Sequence, residues 1–129
     1  MSLDVSTRVD RQGAKTVYVK GRLDTHTYRS LDEHLAREVG PADNTLVLDL
    51  AGLDYISSAG IRSVFALRKQ LAARGGRVLV VNVQPQVRKV FEIVKAVPVK
   101  EIFTSVAELD AYLDQIQRKA LSGDDDDDF

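Results

Sequence analysis

The sequence predicts an α/β domain built on a mixed, mostly parallel β-sheet with an opening hairpin and about four α-helices. Three observations lead to the α/β architecture. Apolar residues alternate near the start, on both sides of a turn signal at Gln12-Gly13. Past Tyr28 the apolar spacing changes to four. Two short apolar runs, near residues 45–50 and 77–83, are each followed by helical periodicity. Strands that alternate with helices are joined by crossovers, and crossovers make parallel pairs.

The elements follow in order. Leu3, Val5 and Thr7 alternate weakly, and Val17 and Val19 alternate with Tyr18 and Lys20 until Gly21 breaks the run, which reads as a hairpin of half-buried strands. Leu31, Leu35 and Val39 mark one face of a first helix that stops at Gly40-Pro41. Thr45 to Leu50 is too short for a helix and reads as a buried strand. A tight segment, Ala51 to Ser58, leads into a second helix with Ile61, Val64, Phe65 and Leu71 inward, ended by Gly75-Gly76.

Arg77 to Val83 predicts a second buried strand, and Pro85 opens a third helix carrying Val87, Val90, Phe91 and Val94. Pro98 ends it, and Glu101-Ile102-Phe103 suggests a short edge strand. Ser105-Val106-Ala107-Glu108 matches a capping box, opening a last helix with Val106, Leu109, Leu113 and Ile116 on one face. The expected organisation is one domain over residues 1–121 and an acidic tail over 122–129. Five consecutive Asp, Asp124 to Asp128, resist packing and predict disorder there.

The formal charge of −1 is a cancellation. Without the five tail acids, 14 acidic residues face 18 basic ones, a body of +4. Residues 59–100 alone hold nine Lys/Arg and one acid, Glu92. Arg62, Arg68 and Lys69 on one helix, with Arg88, Lys89 and Lys95 on the next, present either a docking rim or merely solvated helix faces.

Several chemistries are excluded. With no Cys there is no disulfide framework, thiolate zinc site or thiol nucleophile, which fits a reducing cytoplasm. No export signal or membrane-length apolar run is visible, so a cytoplasmic protein without membrane insertion is expected. His26 and His34 have no partner at metal-ligand spacing, so no metal and no cofactor are expected. Gly75-Gly76-Arg77 is not a phosphate loop. No aromatic platform interleaves the basic residues, which argues against direct nucleic-acid binding.

One junction carries chemistry. A strand ending at Asp49-Leu50 leads through Ser57-Ser58-Ala59-Gly60 into helical periodicity at Ile61. A serine there is accounted for by helix capping, worth about 1 kcal/mol. The same geometry suits a phosphate, because a helix start offers free N–H groups and partial positive charge. Arg62 lies one turn beyond Ser58, within reach of a phosphoryl group. A nucleophile elbow is a poorer fit: Ile56 stands where its first Gly belongs, and Asp24 and His26 precede the serine, the wrong order for an α/β-hydrolase. No catalytic residue and no enzyme activity are assigned.

The run Asp49-Leu50-Ala51-Gly52-Leu53-Asp54-Tyr55-Ile56-Ser57-Ser58-Ala59-Gly60-Ile61-Arg62 resembles the signature of STAS domains, particularly anti-sigma factor antagonists. Gly21-Arg22-Leu23-Asp24 resembles that family's second strand and following loop, and the likeness extends from residue 3 to about 119. It implies partner switching. The unphosphorylated form binds an anti-sigma factor that is also a Ser/Thr kinase, phosphorylation releases it, and a PP2C-type phosphatase resets it.

Aligning Gly60 with the motif's Gly makes Ser58 the match to the phosphorylated serine. The motif often has Asp just before it, where this chain has Ser57, so Ser57 remains the alternative acceptor. The resemblance implies a docking patch of Asp24, Thr25, Ser57, Ser58, Ala59, Gly60 and Arg62. Asp24 has a plainer alternative as a turn-capping residue. A second reading of the same fold is an accessory subunit of a lipid-transport ABC ATPase. A monomer is expected.

Overall fold

The computed structural model describes residues 2–123. The expected acidic tail lies almost wholly outside the described residues. Strand β1 (Leu3–Val9) pairs antiparallel with β2 (Lys15–Leu23), Leu3 opposite Gly21 and Val9 opposite Lys15. Asp10 folds the turn, its Oδ1 accepting from Gln12 N and Ala14 N, and Gly13 takes the positive φ of 87°.

β2 does not stop at Gly21. It passes through a bulge there and runs on to Leu23. Gly21 has φ 106°, and a Cβ on it would sit 2.5 Å from the carbonyl oxygen of Ser2, so only glycine fits. The bulge lets one strand serve two partners in succession. Residues 15–18 pair parallel with β3 (Thr45–Asp49), and residues 21–23 pair parallel with β4 (Leu53–Ile56). β5 (Arg77–Val81) closes the sheet on the far side of β3, giving the order β1-β2-β3-β5 with β4 beside β2.

Helices α1 (Tyr28–Glu38), α2 (Ser58–Ala72), α3 (Pro85–Ala96) and α5 (Val106–Ser122) are the four expected from periodicity. The single turn α4 (Val99–Ile102) stands where an edge strand was expected at Glu101-Ile102-Phe103. The Pro98 carbonyl accepts from Glu101 N and Ile102 N, and Phe103 N bonds to Val99 O. Local turn bonds there take the groups that a strand would offer a neighbour.

The expectation of fully buried strands also changes. Val17, Val19, Leu46 and Leu48 have no exposure, whereas Val47 is half-buried and Leu79 is 40% exposed. That alternation belongs to a sheet covered on one face. α2 ends as its glycines suggest: Gly75 has φ 77°, and Gly76 N bonds back to Leu71 O. Among the described residues no helix is long and apolar enough to cross a membrane.

Candidate functional site

The β4–α2 junction separates the two adjacent serines. Ser57 is the N-cap of α2, with extended backbone, 4% exposure and a hydroxyl that accepts a long 3.5 Å bond from Gly60 N. Its amide donates to Leu23 O and its carbonyl accepts from Ile61 N, both at 2.9 Å. Every polar group of Ser57 therefore serves the helix start or its attachment to β2. Gly60 is a packing glycine: a Cβ there would lie 2.7 Å from Leu23 Cγ and 2.8 Å from Ile56 Cγ1.

Ser58 is the first helical residue, half-buried, and its cap-forming duties are already met by Ser57. Its partner comes from 52 residues away: the amide donates to Asp110 Oδ1 at 2.8 Å, and the hydroxyl donates to Asp110 Oδ2 at 3.1 Å. A carboxylate from α5 thus sits on the positive end of α2, where an anion is electrostatically favoured.

α5 is held over this junction by Gln117, which is 1% exposed. Its Nε2 donates to Ile56 O at 2.9 Å and its Oε1 accepts from Ile56 N at 3.0 Å. The start of α5 is a capping box displaced by one residue. Ser105 Oγ accepts from Glu108 N as expected, while Glu108 Oε1 accepts from Thr104 N and not from Ser105 N.

The loop after β2 lies beside the junction through the Ser57–Leu23 bond. Asp24 is 7% exposed and its contacts are local: Oδ1 accepts from His26 N at 2.9 Å and from the Thr27 hydroxyl, and its carbonyl accepts from Tyr28 N. That is an Asx turn leading into α1. Oδ2 lies 3.8 Å from Arg22 Nε. Thr25 is exposed at the loop tip. The Arg22 guanidinium stacks 3.9 Å from the centre of the Tyr55 ring. Burial, reinforced by the Asp114 carboxylate it faces, pushes the Tyr55 phenol above its ordinary pKa, with Arg22 opposing. Asp114 in turn pairs with Arg118 at 2.8 Å.

The basic stretch is divided in space. Arg62, exposed, lines a cavity of about 330 Å³ between α1 and α2 with Tyr28, Asp32, Ala59 and Ser63. Arg68, Arg88 and Lys95 surround a separate groove of about 240 Å³ between α2 and α3, floored by Val80, Val83 and Phe91. They do not form one continuous rim with Arg62. His34 bonds Thr7 Oγ1 across to β1, and among the described residues no group of three or more His, Asp or Glu gathers in metal-binding geometry.

The family model of the STAS domain matches residues 6–109. The chain belongs to the STAS domain family. This STAS domain is 40% identical over 75 residues to a Bordetella bronchiseptica protein named as an anti-sigma factor antagonist, BtrV. The match covers 58% of the chain and 65% of BtrV, a little under two thirds of that relative's length. Among solved structures, an anti-sigma factor antagonist from Mycobacterium paratuberculosis shares the fold at TM-score 0.66 and 22% identity, covering 90% of this chain and 95% of that one. SpoIIAA, the Bacillus cell fate determinant and also an anti-sigma factor antagonist, is solved in an unphosphorylated form (TM-score 0.58, 22% identity, 70% of this chain and 83% of that one). Its phosphorylated form gives a TM-score of 0.59 at 20% identity, over 77% of this chain and 96% of that one.

Four residues of the site have contacts that a reading of the sequence does not reveal. Asp110 lies beside the apolar Leu109 on α5, and nothing local announces a partner 52 positions earlier. Gln117 falls one turn after the buried Leu113, so a polar residue on an inner stripe was its only signal. Tyr55 and Arg22 meet because β2 and β4 pair them as neighbours.

Proposed function

We propose that this STAS domain is an anti-sigma factor antagonist that works by partner switching. Its unphosphorylated form docks through the patch around Asp24, Thr25, Ser57, Ser58, Ala59, Gly60 and Arg62 onto an anti-sigma factor with Ser/Thr kinase activity. Phosphorylation of Ser58 ends that docking, and a PP2C-type phosphatase restores it.

The observation that carries this reading is the unequal use of the two serines. Ser57 is buried and occupied as the helix cap, whereas Ser58 is only half-buried at the head of α2, its hydroxyl engaged by Asp110 and not by the cap. A phosphoryl group there adds about −1.5 to −2 charges at the patch, enough to turn away an acidic or desolvated partner. Exposed Arg62, one turn along, is available to accompany it. The likeness to BtrV and to SpoIIAA in its two phosphorylation states supports the same reading.

The test is capture from extract of the native host on the immobilised unphosphorylated protein, followed by ATP and phosphosite mapping. Label is expected on Ser58 and lost in Ser58→Ala but kept in Ser57→Ala. A kinase that labels the double Ser57→Ala, Ser58→Ala protein equally well would refute the mechanism. Ser58→Asp retaining full capture would refute the switch.

A further inference from the structure

The Asp110 carboxylate sits directly against Ser58 at the head of α2. Its two oxygens take the Ser58 amide hydrogen and the hydroxyl hydrogen. The amide belongs to the first residue of α2, one of the unpaired N–H groups at the positive end of the helix. In the unphosphorylated protein, therefore, the anion at this helix start is built in, and it is borne by α5.

Phosphorylation changes every part of that arrangement. The Oγ–H bond gives way to Oγ–P, the proton leaves to water, and the nucleoside diphosphate departs with the electron pair of the broken P–O bond. No hydrogen remains on Oγ for Asp110 Oδ2. A dianion now stands beside the carboxylate, and its oxygens compete for the same amide. Two anions that close repel strongly in a partly buried site.

α5 is built so that this repulsion acts on one end of it. Ahead of Tyr112, Leu109 is partly buried against the core and Val106 is 55% exposed. Behind it, Leu113 is wholly buried, and Gln117 clamps both backbone groups of Ile56. Among the described residues, the Asp110–Ser58 pair hydrogen-bonds the head of α2 to the first turns of α5.

We infer that Asp110 is the phosphate-sensing latch of this domain: phosphorylation of Ser58 expels its carboxylate from the head of α2 and frees the first turns of α5, while the Gln117 end stays docked. This inference rests on Ser58 as the site of modification proposed above. It adds a consequence to that modification, a local change of shape next to the docking patch.

The experiment needs no kinase, because phosphoserine can be encoded genetically at position 58. Hydrogen exchange and thermal unfolding are measured on four full-length proteins: Ser58 or phosphoserine, each with Asp110 or with Asp110→Asn. Asn keeps an acceptor for the amide and removes the charge. With Asp110 present, phosphoserine is expected to speed exchange over residues 106–111 by about tenfold, the response of a local opening, and to leave 113–119 unchanged. In the Asp110→Asn pair the effect of phosphoserine should shrink, giving a non-additive cycle in both exchange and Tm. Equal exchange of 106–111 with and without phosphate would overturn the latch, and so would an additive cycle. Failure of the extract kinase to label Ser58 would instead overturn the proposed function, a result that these four proteins do not depend on.

Discussion

Gln117 satisfies both backbone groups of Ile56 from a helix 61 residues further along the chain, at 2.9 Å and 3.0 Å. Ile56 ends β4, where the ladder stops, and its N–H and C=O would otherwise be buried without partners. A side-chain amide does there what another strand would do.

Replacing Gln117 with Leu keeps the volume and removes both bonds. Each buried backbone group left unpaired costs about 1–3 kcal/mol, so for the two a total loss of about 2–6 kcal/mol is expected. Urea unfolding of the variant would show this as a lower midpoint with little change in slope.

Gly60→Ala places a methyl between Leu23 and Ile56, both fully buried. Overpacking of this kind costs about 1–3 kcal/mol. The same substitution at Gly13, where a Cβ meets nothing within 4 Å, strains only the backbone. Thermal unfolding of the two variants separates packing from conformational strain, and the steric term should be confined to position 60.

The Asp43 carboxyl is held below the ordinary carboxylate pKa, first by the Gly40 N–H and then by the Lys15 ammonium at 2.9 Å. A group depressed on folding contributes stability above its unfolded pKa, and that contribution disappears as pH falls through the folded value. The difference in unfolding free energy between wild type and Asp43→Asn should therefore be constant near neutrality. It should shrink once pH falls beneath 3.8, the ordinary value of this carboxyl. A difference that persists unchanged into strong acid would contradict the assignment.

The Tyr55 phenol is held above its ordinary pKa, because burial first and Asp114 second favour its neutral form. Removing the charge with Asp114→Asn is expected to lower its ionisation pH, although burial, the larger cause, keeps it above the ordinary 10.0. Ultraviolet titration of tyrosinate in the two proteins reads this directly. The raised phenol stabilises the fold below the unfolded pKa, and that increment is lost as pH climbs through the folded one.

Local physics carried much of the fold. The four-residue spacing of Leu31 and Leu35, the glycines at 75 and 76, and the Ser105 cap all act within a few residues, so their outcome is readable in the chain. β4 was not legible: in Leu53-Asp54-Tyr55-Ile56 both ends are buried, so no alternation marks it, and it becomes a strand only because the Gly21 bulge turns β2 toward it. The site divides in the same way. Ser57, Ser58 and Gly60 lie at a junction that periodicity locates, whereas Asp110 and Gln117 act across 52 and 61 residues and depend on the assembled layers.

The helix cap at position 57 also explains how this sequence can depart from the pattern it resembles. Asp and Ser are near equals at an N-cap, since either offers an oxygen to the free amides of the first turn. Ser57 in place of the more frequent Asp is therefore an exchange between two residues competent for the same mechanical task. It leaves the neighbouring hydroxyl with its own partner and its own exposure. Chemistry and scaffold are assigned to adjacent residues, so sequence drift at one need not disturb the other.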